Sequence, residues 1–239
     1  MQREVIFCAD CEGTRDQLRL LLDILDRARI NVTFFFVGKT AEENPDLVRH
    51  AARTHQIETH TYSHRNLRRL TREAQREEIL RAKQIVEGLI GRPTHGFRAP
   101  MHCYNRDTAE ILKEEGFVFD ASALYFYHDI SPLRQVYPTW FREWMPLYER
   151  FHIKPRWAFN LFRLFYRMNR RVVLPIHPHY SAKTPELAHE LQSFIADVQR
   201  DGGRFLTIDE ALGLRPIASV VPVEQPDDAR EANLADPLP

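Results

Sequence analysis

Gln56-Ile57-Glu58-Thr59-His60-Thr61-Tyr62-Ser63-His64 reads as a short strand running straight into two histidines four residues apart. Imidazoles at i and i+4 converge on one cation if the residues between them make a helical turn, because that spacing returns to the same face. A strand followed by ligands on the next loop is how parallel α/β folds present their chemistry. Taken alone, the pattern fits two solvated loop histidines equally well. The rest of the chain decides between these readings.

Upstream, Val5-Ile6-Phe7-Cys8-Ala9 reads as a buried strand leading into Asp10-Cys11-Glu12-Gly13, and Leu18, Leu21, Leu22, Leu25 and Ala28 follow helical spacing. Val32 to Val37 is strongly β-prone, and Asn44-Pro45 opens a second helix. Downstream, residues 71 to 90 form an amphipathic helix that stops near Gly91-Arg92-Pro93. His95 to Arg98 is a short strand, Asn105 caps a helix that Gly116 ends, and Phe117 to Phe119 is a strand reaching Asp120. Arg171 to Ile176 is a strand ending in His177-Pro178-His179-Tyr180, Thr184-Pro185 starts a helix, and Phe205 to Ile208 is the last strand. About seven strands alternating with helices predict a parallel sheet, for which a closed barrel is natural at 239 residues. An open doubly wound sheet is the alternative, but no glycine-rich turn follows the first strand to make it a nucleotide site. The expected domain is 1–215, interrupted at about 124–170 by an aromatic and basic insertion. Residues 216–239, rich in Pro, Asp and Ala, read as a disordered tail.

The composition is that of an ordinary globular protein, 44% hydrophobic and 28% charged, and a net charge of +0 argues against nucleic acid as a partner. Cys8, Cys11 and Cys103 do not make a disulfide framework, and the first two face opposite sides of a strand. No stretch is apolar enough for a secretory signal or a membrane span, so the expected location is the cytoplasm.

The polar residues fall at strand ends. Asp10 and Glu12 follow strand one, His60 and His64 strand three, Arg98 strand four, Asp120 strand five and His177 strand six. In a barrel these ends form one rim. At an extended strand end Asp10 and Glu12 share a face with Cys11 opposite, so one carboxylate can bind a cation while the other stays free as a base.

This set resembles the NodB-homology polysaccharide deacetylases, carbohydrate esterase family four. His60-Thr61-Tyr62-Ser63-His64 is similar to their H-[ST]-x-x-H metal motif, Phe97-Arg98-Ala99-Pro100-Met101 to their R-x-P motif, and Leu174-Pro175-Ile176-His177 to their closing L-x-x-H. The resemblance runs from about Val5 to Leu212. It implies a distorted (β/α)7 barrel with a divalent metal, usually zinc, that hydrolyses N-acetyl groups on amino sugars. The first motif departs from the usual adjacent aspartates and is similar to a subset that spaces its carboxylates by one residue. By that resemblance Asp10 is the base, and Glu12, His60 and His64 hold the metal, with Cys11 open as a thiolate ligand. Arg98 orients Asp10, and His177 donates a proton to the leaving amine with Asp120 keeping it charged. Pro100, Met101, His179 and Tyr180 are the expected substrate contacts. The substrate expected is an N-acylated amino sugar or glycan precursor. Deformylation of a lipid-linked formamido sugar, hydrolysis of a non-sugar amide, and a catalytically dead sugar-binding barrel are the alternatives.

Residues 131 to 171 carry all three tryptophans, Trp140, Trp144 and Trp157, and nine basic residues against Glu143 and Glu149. Trp157, Leu161, Leu164, Phe165 and Met168 follow helical spacing with arginines interleaved. Two readings follow: an insertion whose aromatics pack on the barrel, or an interfacial helix that touches anionic membrane.

Overall fold

The computed structural model describes residues 2–123, 131–139, 150 and 154–214. Its strands are β1 (Glu4–Cys11), β2 (Thr33–Phe36), β3 (Gln56–Thr59), β4 (Gly96–Phe97), β5 (Phe119–Asp120), β6 (Arg134–Gln135), β7 (Arg171–Ile176) and β8 (Arg204–Phe205). They pair in parallel in the order β6-β5-β4-β3-β2-β1-β7, with β8 on β1. β8 pairs with Glu4 and Val5 while β2 pairs from Cys8 onward, so the two share one edge of β1. The sheet curls until the stretch after β6 reaches β7: Thr139 N–H donates to Val173 O at 3.0 Å, and Val173 N–H to Thr139 Oγ1 at 2.6 Å. The expected distorted barrel is the fold observed.

Two details differ from the sequence reading. β6 lies inside the expected insertion, where Arg134-Gln135 has no apolar pattern to announce it. The last strand is only Arg204–Phe205, because the Thr207 side chain caps a helix, Ile208–Leu212, that begins inside the β-prone run. The expected tail 216–239 and much of the expected insertion lie outside the described residues.

Helices cover the outside: α1 (Arg15–Ala28), α2 (Gly38–Glu43), α3 (Pro45–Ala51), α4 (Arg72–Ile90), α5 (Arg106–Glu114), α6 (Pro155–Met168), α7 (Pro178–Ser181), α8 (Pro185–Arg200) and α9 (Ile208–Leu212). Their starts are chemically set, with Thr14 and Asn105 in capping boxes and Thr71 and Thr184 accepting first-turn N–H bonds. The period-two alternation of β1 then sorts its residues. Val5, Phe7, Ala9 and Cys11 pack outward with Leu18, Leu21, Leu22 and Phe194, whereas Ile6 and Cys8 point into the barrel with Phe35, Phe119 and Ile208. Asp10 continues the inward set at the barrel mouth.

A polar network lies in the interior. Glu58, fully buried, accepts N–H bonds from His95 (2.9 Å), Gly96 (2.6 Å) and the Gln56 amide (2.8 Å). Gln56 Nε2 also reaches Asp209 at 2.8 Å, and His95 Nε2 lies 2.9 Å from the same oxygen. Burial pushes the Glu58 carboxyl up. Glu58, His95 and Asp209 are close enough to share an ion. However, the Gln56 amide aims its protons at both carboxylates, so this group is a satisfied hydrogen-bond network.

Candidate active site

His60 and His64 converge, with ring centroids 5.0 Å apart, but not through the expected helical turn. Thr61 (φ 59°) and His64 (φ 57°) both take the left-handed conformation. For a β-branched residue this costs roughly 1–3 kcal/mol and persists only where the surroundings over-determine it. Here they do. Gly38 and Lys39, at the start of α2, donate to Thr61 O and Tyr62 O, each at 2.9 Å. From α4, Glu78 accepts both the Ser63 N–H (2.8 Å) and its hydroxyl (2.5 Å). His60 Nδ1 lies 2.6 Å from Arg98 O, a carbonyl that can only accept, so Nδ1 carries the proton and Nε2 keeps its lone pair.

That lone pair faces Glu12. Glu12 Oε1 is 2.8 Å from His64 Nε2 and 3.5 Å from His60 Nε2, and neither nitrogen makes a hydrogen bond of good geometry. The three ligand atoms lie within 4.8 Å of one another. Burial opposes ionisation of Glu12, yet the two imidazoles, when protonated, hold its carboxyl well below the usual range. One carboxylate and two imidazoles with unsatisfied lone pairs on a common point are a donor set that fits a divalent metal. Cys11 is not part of it. Its thiol lies on the opposite face of β1, packed among the helices 3.6 Å from Ala9 O, and does not join the group of converging ligand atoms.

Beside this group stands Asp10. Its Oδ2 is 3.2 Å from Arg98 Nε and 3.5 Å from His177 Nε2. Burial pushes the Asp10 carboxyl up, but Arg98, with His60 and His177, outweighs it and holds the group below its ordinary value. His177 Nε2 is also 3.8 Å from Glu12 Oε1, so one ring faces both carboxylates.

The same arm of the site contains a residue the sequence reading missed. His102 Nδ1 donates to Ser122 O at 2.8 Å, and its Nε2 lies 3.4 Å from an Arg98 Nη. Burial, then Arg98, pushes its pKa down to about 3, so the neutral ring accepts a hydrogen bond from the guanidinium and steadies it. The available signal was a titratable side chain four residues past Arg98, which no spacing rule singles out.

Asp10, Glu12, His60, His64, Arg98, Met101, His177, His179 and Tyr180 line one cleft of about 460 Å³, together with His102 and Cys103. Two expected site residues do not line it. Pro100 is buried at the start of the Pro100–His102 turn, where its ring fixes the backbone before Met101 (φ 54°). Asp120 accepts the Ser122 N–H at 2.9 Å; the Ser122 hydroxyl in turn accepts the Ala99 N–H at 2.7 Å, so Asp120 braces the Arg98 loop from behind.

A curled parallel barrel with two histidines and a carboxylate converging on its C-terminal rim places the chain among α/β barrels with a candidate metal site there. The sequence model of the family described as Polysaccharide deacetylase matches residues 6–119. A peptidoglycan-N-acetylglucosamine deacetylase of Bacillus cereus is 35% identical over 81 residues, covering 34% of this chain and 30% of that protein. Among solved structures, one from Mycobacterium smegmatis assigned to the polysaccharide deacetylases superposes with a TM-score of 0.72 at 24% identity, covering 90% of this chain and 92% of that one. A family pseudoenzyme from Bacillus anthracis superposes at 0.65 and 16% identity, covering 88% and 66%. The chain spans about a third of the length of the first curated relatives it matches. Residues 6–119, just under half of the chain, match the polysaccharide deacetylase family, and the fold around them is similar to that of solved structures assigned to it.

Proposed function

We propose that the chain is a divalent-metal-dependent N-deacetylase that removes the acetyl group from an amino sugar. The observation that carries this is Asp10, buried against Arg98 at 3.2 Å and His177 at 3.5 Å, two residues from the ligand carboxylate Glu12. A ligand set alone suits a structural metal; a base with a fixed charge environment beside it suits hydrolysis.

A divalent ion held by Glu12, His60 and His64, for which these donors suit zinc, would supply Lewis acidity toward the amide oxygen and the attacking water. Asp10 accepts the proton of that water, and Arg98 keeps it ionised and fixed in direction. As the amide C–N bond breaks, the leaving nitrogen needs a proton. His177 Nε2 faces the reaction point beside both carboxylates and, when protonated, donates it, leaving acetate and a free amine. His179 and Tyr180, with ring centroids 4.1 Å apart, offer apolar faces on the cleft wall beside Met101, as sugar sites use. Relatives named for peptidoglycan N-acetylglucosamine and for chitooligosaccharides make N-acetylglucosamine the first substrate to try.

The test is acetate release from N-acetylglucosamine oligomers by the chelated and the zinc-loaded protein, with metal content measured alongside. The loaded protein is expected to release acetate, and His60→Ala and His64→Ala to lose metal and turnover together. Full metal occupancy and turnover in both variants would overturn the ligand assignment. A fully loaded wild type that binds the oligomers and releases no acetate would make this a sugar-binding barrel.

A further inference from the structure

The arginine-rich helix α6 has two apolar faces, and only one is used by the fold. Phe159, Phe162, Phe165 and Tyr166 are buried, with Phe162 and Tyr166 packed on Phe194 of α8 at 5.8 and 6.3 Å between centroids. Arg163 locks this face down, reaching Asp197 at 2.7 Å, Glu190 at 3.2 Å and Ser193 at 2.9 Å. The helix therefore cannot roll to hide its other side. Along that side Trp157, Leu161, Leu164 and Met168 follow i, i+4, i+7 and i+11. Trp157 is 64% exposed, Leu164 47% and Met168 71%, half of the six exposed large hydrophobics among the described residues. An open depression of about 960 Å³ follows the stripe, lined by Trp157, Leu161 and Leu164 with Lys154 and Arg167 toward its two ends.

The charges carried by the helix itself are of one sign, while the acidic Glu186 and Glu190 lie on α8 beside Lys154 and Arg156. The helix has no acidic residue, and Lys154, Arg156, Arg167 and Arg170 are exposed with no ion pair among the described residues. Arg171, by contrast, is held by Glu4 at 2.7 Å and belongs to the barrel. We propose that this face of α6 docks on an anionic phospholipid surface, with the Trp157–Met168 stripe at headgroup depth and Lys154, Arg156, Arg167 and Arg170 on the lipid phosphates. A tryptophan and aliphatic stripe of about 16 Å lying parallel to the surface, with exposed cations beside it, is the chemistry of an interfacial helix. An acidic protein partner would satisfy the cations equally, but exposed tryptophan and methionine on a single helix ridge suit the fluid headgroup region better than a fixed pocket. This inference does not depend on the proposed hydrolytic activity.

Co-sedimentation of the whole chain with vesicles of phosphatidylcholine alone, or mixed with phosphatidylglycerol, tests it. Binding is expected on the mixed vesicles at low salt and is expected to fall as salt rises. Arg156→Gln, Arg167→Gln and Arg170→Gln together should weaken it on the order of 100-fold, three cations at about fivefold each. Trp157→Ser with Met168→Ser should weaken it at least about tenfold, from the lost apolar burial. All five positions are exposed, and unchanged thermal melting checks that each variant is folded. Absence of binding on mixed vesicles at low salt, equal binding to pure phosphatidylcholine, or binding indifferent to both sets of substitutions overturns the proposal. So does a dimer in solution that the Trp157→Ser, Met168→Ser variant disperses, since a second copy would then cover the stripe.

Discussion

Asp10→Asn exchanges one buried carboxylate for an isosteric amide, and the structure predicts two separable losses. Asp10 is 4% exposed and Arg98 2%, with Oδ2 and Nε 3.2 Å apart, so the substitution leaves a buried guanidinium without its counter-charge. Breaking one side of such a pair costs roughly 3–5 kcal/mol. His102, whose neutral Nε2 accepts from Arg98 at 3.4 Å, keeps the expected value near the lower end, at about 3 kcal/mol. The second loss is kinetic. Removing a general base lowers kcat by about 10²–10⁴, or roughly 3–5 kcal/mol of barrier.

Arg98→Met separates the two. Alone it strands the Asp10 carboxylate and should cost comparable stability; the double variant, with no buried charge left, should be more stable than the two single losses summed. In turnover, Arg98 acts through Asp10, so Arg98→Met should slow the wild type by at least about tenfold and change the Asp10→Asn enzyme little. Urea unfolding of the four proteins and acetate release, with metal content as the control, complete the cycle. Asp10→Asn turnover within about tenfold of wild type would remove Asp10 as the base. Additive stability losses would mean that the 3.2 Å contact is not the pairing described here.

Two further outcomes follow from buried groups. Cys11→Ser should leave metal affinity unchanged and cost about 1–3 kcal/mol of stability by placing a hydroxyl among apolar helices, whereas Glu12→Ala should abolish tight binding; a metal shift in Cys11→Ser, read by competition with a zinc indicator, would return the thiol to the site. His55, its side chain 1% exposed and its ring 5.0 Å from Phe34, has its pKa pushed down to about 4 by burial against the pull of Asp26. The unfolded chain takes up this proton near pH 6.5 while the folded chain refuses it until about 4. Stability is therefore full above pH 6.5 and falls by about 3 kcal/mol as pH drops to 4. Urea midpoints across that range should show the slope, and His55→Phe should lose its share of it; an unchanged slope in the variant refutes the assignment.

What was legible in the sequence was the chemistry that neighbours dictate. The alternation Cys8-Ala9-Asp10-Cys11 fixes which side chains enter the barrel, because a strand permits only two faces; that is why Asp10 is found in the mouth and Cys11 outside it. Helix starts at Thr71, Asn105 and Thr184 were equally local. The shape of the histidine loop was not. A helical turn and a doubly left-handed loop both bring His60 and His64 together, and the second is chosen by Gly38, Lys39 and Glu78, which are distant in the chain.

The same limit explains β6 and α6. Arg134-Gln135 is a strand only because β5 offers it an edge. Arg163, alike in sequence to Arg167 and Arg170, is withdrawn from solvent by Glu190 and Asp197, residues 27 and 34 positions downstream. Periodicity along residues 155–168 superimposes two apolar stripes, and only the position of Phe194 tells which is core. The packing reading of this insertion thus describes one side of the helix, and the proposed docking surface is the other. The buried side holds α6 rigidly on the barrel, and that rigidity is what leaves Trp157 and Met168 standing in solvent. A loosely held helix would turn them inward, so the exposure is a consequence of the packing, and this exposed side is the one the proposed docking uses.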